Sequence, residues 1–102
     1  MSETSPPDPA LMARLASGDV QACLQLIASL ENEPAAWMFH QCARLTASDV
    51  VTPDGLRVAD LAANSLMRAL GLAASFEIKP DGQYTPDELG EIRALVRRRV
   101  PQ

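Results

Sequence analysis

Apolar residues recur along most of this chain at the three- and four-residue spacing of an α-helix. Leu11, Met12 and Leu15 share a face of a short helix over about residues 9–16, which Ser17-Gly18 breaks. Val20, Cys23, Leu24, Ile27 and Leu30 form the stripe of a second helix over about 20–30, widened by Leu26. A third helix is predicted over about 34–47 and a fourth over about 53–70, with the stripe Leu56, Ala59, Ala63, Leu66 and Leu70. The alanines on that stripe would let a neighbouring helix come close, and Gly71 is a natural C-terminal stop. Leu89, Ile92, Val96 and Val100, joined by Leu95, mark a last helix over about 86–99 that Pro101 ends.

Polar positions mark the starts. Asp8-Pro9, Glu33-Pro34, Thr52-Pro53 and Thr85-Pro86 each precede a helical run. Proline suits the first helical position because its missing N–H has no partner there anyway. Aspartate and threonine are good caps, and Thr85 with Glu88 completes a capping box. Glu33 is a poorer cap, and Asn32 can serve in its place. Thr52-Pro53-Asp54-Gly55-Leu56 and Thr85-Pro86-Asp87-Glu88-Leu89 look like two copies of a repeat, but the similarity stops at the leucine. Two independent uses of helix-start chemistry explain them better than a repeat array.

Between residues 76 and 84 the pattern changes. Phe76, Ile78 and Tyr84 flank Lys79-Pro80-Asp81-Gly82-Gln83, whose proline and glycine suit a tight turn with a bulge. This predicts a small β-hairpin with Ile78 opposite Tyr84; a plain loop is the alternative, since isolated hairpins are marginal. The predicted fold is mostly α: one compact domain of four to five short helices over 8–102, with the hairpin before the C-terminal helix. Residues 1–7, polar with Pro6 and Pro7, read as a loose tail.

Composition adds limits. The chain has 102 residues, enough for one domain, and 47% hydrophobic residues, near the globular average. No apolar run reaches the roughly 18 residues of a membrane helix, and the N-terminus lacks the basic start and apolar middle of a signal peptide. A cytoplasmic protein is expected. The net charge of −4 repels phosphate backbones and anionic lipid on average, though a local patch can oppose it. Arginine outnumbers lysine eight to one, which points to a GC-rich, bacterial coding genome. Cys23 and Cys42 are too few for a disulfide scaffold and read as two buried thiols.

The chain carries no phosphate loop, nucleophile elbow or paired-carboxylate signature. The single histidine, His40, has no carboxylate three or four residues away to make it a general acid or base. His40 and Cys42 point to different sides of a helix and have no further ligands at metal-binding spacing. No catalytic residue, metal or cofactor is expected, and an enzyme is the least favoured class.

Two features point to binding. Trp37-Met38-Phe39-His40 spans about three-quarters of a helix circumference, more than one face can bury. Either that helix is covered all round, or part of the run meets a partner, for which Trp37, Met38 and Phe39 are candidate anchors. Arg93, Arg97, Arg98 and Arg99 form a basic cluster that complements a helix C-terminus and can steer an acidic partner. The expected function is a non-enzymatic protein–protein interaction module: a small adaptor, regulator or inhibitor, with another protein or a second copy as partner. Helices followed by a hairpin and a helix also resemble, in element order alone, a winged helix-turn-helix DNA-binding regulator. In that alternative Arg57, Arg68 and the C-terminal arginines would touch phosphates. The poverty of basic and amide side chains on the would-be reading helix argues against it.

Overall fold

The structure is a computed structural model. It describes residues 8–79 and 83–101. The predicted tail over 1–7 therefore lies outside the described residues. Five helices appear: α1 (Pro9–Ala16), α2 (Val20–Asn32), α3 (Ala36–Leu45), α4 (Val58–Leu70) and α5 (Pro86–Arg99).

Three starts behave as the side chains dictate. The Asp8 carboxylate accepts from Ala10 N–H, and Asp19 accepts from Gln21 and Ala22 N–H. Thr85 and Glu88 form the reciprocal capping box, with Pro86 in the first turn. The other two starts come later than the prolines predict. Glu33 is the C-cap of α2, so Pro34 falls in the short link that stops one helix before the next begins. Ala35 then opens α3 without a side-chain cap.

At Thr52-Pro53 no helix forms at all. Gly55 N–H donates to the Thr52 carbonyl at 2.9 Å, closing a tight turn in which Gly55 has φ +89°. Leu56 N–H donates to the Thr52 hydroxyl, and Thr52 N–H to the Leu56 carbonyl. Val51 and Arg57 form an isolated antiparallel bridge across this turn. Leu56, expected on the α4 stripe, is consequently 52% exposed.

α4 is the middle of the molecule and packs against α2, α3 and α5, while α1 packs on α2. Val58 to Asp60 and Ala62 to Met67 are all buried. The helix covered all round is thus α4, whose Ala59, Ala62 and Ala63 admit close neighbours, and not α3. Around it the core takes Cys23, Leu26, Ile27 and Leu30 from α2, Met38, Cys42 and Leu45 from α3, and Leu89, Ile92 and Val96 from α5. The radius of gyration is 12.8 Å, close to the ~13 Å of a compact 100-residue domain.

The hairpin predicted before α5 is absent among the described residues: 72–79 and 83–85 carry no strand, and the turn residues 80–82 lie outside them. The backbone groups a ladder would use go elsewhere. Lys79 N–H donates to the Tyr84 hydroxyl, and Tyr84 N–H donates to the Asp60 carboxylate on α4. Tyr84 is 2% exposed, packed against the Phe76 ring with centroids 5.7 Å apart. It belongs to the core, not to an edge.

Candidate functional site

The candidate residues divide by helical spacing. On α3, Met38, Cys42 and Leu45 face the core, so Met38 is spent on folding. Phe39 is half-buried against the core edge. Trp37, half-buried, shares the i, i+3, i+4, i+7 face with His40, Gln41 and Arg44. On α5, Leu89, Ile92 and Val96 are buried, while Arg93 and Arg97 lie one turn apart beside them. Arg98 and Arg99 are exposed in the last turn.

Because α3 and α5 pack together, these two rows face each other. Between them runs a groove of about 310 Å³ lined by His40, Ala43, Arg44, Arg93, Val96 and Arg97. Ala43 and Val96 give it an apolar floor, and three guanidiniums and an imidazole supply its polar groups. Arg93 is set in place by a relay: its Nη1 donates to the Thr46 hydroxyl at 3.0 Å, which donates to the Ala43 carbonyl at 2.6 Å. His40 Nε2 is closed off from solvent and has no hydrogen-bond partner among the described residues.

Charge is segregated. Arg14 pairs with Asp19, Arg57 with Asp60, Arg68 with Glu31 and Lys79 with Glu88. The remaining cations, Arg44, Arg93, Arg97, Arg98 and Arg99, have no ion pair among the described residues. All five lie on α3 and α5. Part of this has a local cause: Arg44 and Arg97 to Arg99 sit in last turns, where the macrodipole favours cations. Arg93 is outside that zone.

A second polar cluster serves the fold. Arg57 grips the Asp60 carboxylate with Nε at 2.7 Å and Nη2 at 2.6 Å, and Nη2 also donates to the Tyr84 carbonyl. The Tyr84 hydroxyl donates to Asn64 Oδ1. Lys79 Nζ bonds Glu88 at 2.7 Å and lies over the Tyr84 ring. Burial pushes the Asp60 carboxyl up, but the Arg57 guanidinium and Tyr84 N–H more than reverse this and hold it below the usual carboxylate range. The two cysteines are free and buried, and burial pushes the Cys42 thiol up to about 12. The Cys23 thiol is raised for the same cause. Both are inert neutral thiols near neutral pH.

Among the described residues no cluster of three or more His, Cys, Asp or Glu could hold a metal, and no helix is long and apolar enough to cross a membrane. The α3–α5 groove gathers three guanidiniums that have no ion pair among the described residues. The sequence singles out Arg93 and Arg97 but not Arg44 or Thr46, and the packing of α3 on α5 brings these four and His40 together. The spacing of Trp37, His40 and Arg44 on one helical face was the available signal. Comparison with known proteins finds no family model, no curated protein and no solved structure that matches this chain.

Proposed function

We propose that the chain is a non-enzymatic binding module of the cytoplasm, a small adaptor, regulator or inhibitor that docks an acidic segment of another protein on its α3–α5 face. The observation that carries this reading is the segregation of charge. In a chain of net charge −4, every described cation without an ion pair lies on α3 or α5, and three of the five line the groove between them. Such a patch attracts and orients an acidic partner over distances of about a Debye length. The half-buried Trp37 and Phe39 on α3 supply apolar area of the kind that anchors interfaces.

The DNA-binding alternative draws on the same free arginines. Against it stand Arg57 and Arg68 at the would-be reading helix, both of which are committed to ion pairs.

The test is affinity capture from the cell of origin with cross-linking, comparing wild-type chain with the Arg97→Glu/Arg98→Glu/Arg99→Glu variant. The expected result is an acidic protein held by the wild type, cross-linked near α3 and α5, and lost from the variant. Cross-links on another face, capture unchanged by charge reversal, or recovery of the chain itself as sole partner would overturn the reading. Binding to duplex DNA that weakens steeply with salt would favour the alternative instead.

A further inference from the structure

We infer that the α3–α5 groove is a subsite for one phosphoryl group, the phosphorylated side chain of the partner segment. This rests on the docking reading above and adds the chemistry of its central contact.

Three guanidiniums, from Arg44, Arg93 and Arg97, line one groove without a carboxylate partner among the described residues. A carboxylate brings one negative charge and is satisfied by a single bidentate arginine. A phosphomonoester brings roughly −1.5 to −2 and three acceptor oxygens, a closer match to three forks and an imidazole. The C-terminal ends of α3 and α5 oppose an anion with about half a negative charge each, which three full positive charges outweigh.

His40 adds an independent observation. It lines the groove, and its Nε2 is enclosed without a hydrogen-bond partner among the described residues, so a phosphoryl oxygen that parts the groove wall satisfies it. The Thr46 hydroxyl fixes one edge of Arg93 and leaves its other N–H groups for a ligand. The volume of about 310 Å³ lies at the low end of ligand sites, enough for a modified side chain and small for a drug-sized cofactor.

Calorimetric titration of the full chain tests this with inorganic phosphate, acetate, and one acidic peptide carrying phosphoserine, glutamate or serine at its centre. Phosphate and the phosphoserine peptide are expected to bind, and acetate and the serine peptide to bind at least about tenfold more weakly. Arg44→Ala/Arg97→Ala, both exposed positions, should lose phosphate binding with thermal stability kept. His40→Gln should weaken it severalfold. Arg98→Ala/Arg99→Ala should leave inorganic phosphate binding unchanged while weakening the peptide.

Equal binding of glutamate and phosphoserine peptides, or phosphate binding untouched by Arg44→Ala/Arg97→Ala, overturns the subsite. Tight duplex binding that competes with phosphate moves the phosphoryl source to nucleic acid and also overturns it. If an acidic partner is captured but phosphate does not bind, the subsite falls and the docking reading stands. If phosphate binds but charge reversal leaves capture unchanged, the reverse holds.

Discussion

Tyr84 ties the connection before α5 to the first half of α4, which is remote from it in sequence. Its hydroxyl meets Asn64 on α4 and Lys79 in the preceding connection, its N–H meets Asp60, and its carbonyl meets Arg57. Removing the hydroxyl alone leaves the Lys79 N–H and the buried Asn64 carbonyl oxygen without their partner. Tyr84→Phe is therefore expected to cost about 1–3 kcal/mol, read as a lower urea midpoint with an unchanged slope. In the sequence Tyr84 is only an aromatic beside a turn, and its core role was not legible. Its partners on and before α4, Arg57, Asp60 and Asn64, are 20 to 27 residues away, and local spacing carries no information about them. By contrast, the buried state of Cys23 and Cys42 was legible, because free cysteine is among the most buried residue types and Cys23 also falls on the α2 stripe.

Two near-identical segments take different structures at the level of elements. Thr52-Pro53-Asp54-Gly55-Leu56 closes a turn, and Thr85-Pro86-Asp87-Glu88-Leu89 opens a helix. The fourth residue separates them. Glu88 reaches back to the Thr85 N–H and completes the capping box, whereas Gly55 takes a positive φ that ends any helix there. Gly55→Ala should cost about 1 kcal/mol through backbone strain alone, since a Cβ there meets nothing within 4 Å. Gly90→Ala, inside α5 with only an ordinary contact to Arg93, should stabilise by about 0.5–1 kcal/mol. Thermal denaturation of the pair checks the opposite signs. All five helices were legible from periodicity, but the starts of α3 and α4 were not. Proline marks both helix starts and turns, and only the residues after it distinguish the two. The same rule, applied evenly, would have placed the chain's tight turn at Pro53-Asp54-Gly55.

Acid stability is a property of the whole molecule. The Ser65 hydroxyl and Arg68 guanidinium lower the Glu31 carboxyl, and the Arg57 guanidinium and Tyr84 N–H hold Asp60 down against its burial. Carboxyls depressed in the folded state contribute stability that is fully present above their unfolded values, near pH 4. That contribution disappears as pH falls through the folded values. Urea midpoints should be level from pH 7 to about 5 and fall below about pH 4. Asp60→Asn should be less stable at pH 7 and show a shallower acid decline; an equally steep decline would show that Asp60 is not a main contributor. Glu31–Arg68 is exposed and contributes little on its own. The proposed docking face was half legible. The arginine strip of α5 stood out in the sequence, but Arg44 and His40 joined it only through the packing of α3 on α5.

That packing has a consequence for how the molecule is made. α5 follows the other four described helices in chain order, and its Leu89, Ile92 and Val96 pack into the core against α3 and α4. During synthesis the apolar faces of the earlier helices wait uncovered until α5 leaves the ribosome, the interval in which a nascent chain is most exposed to aggregation. The groove comes into being at that same closing step. Anything that binds across it holds α5 shut and favours the finished fold by mass action.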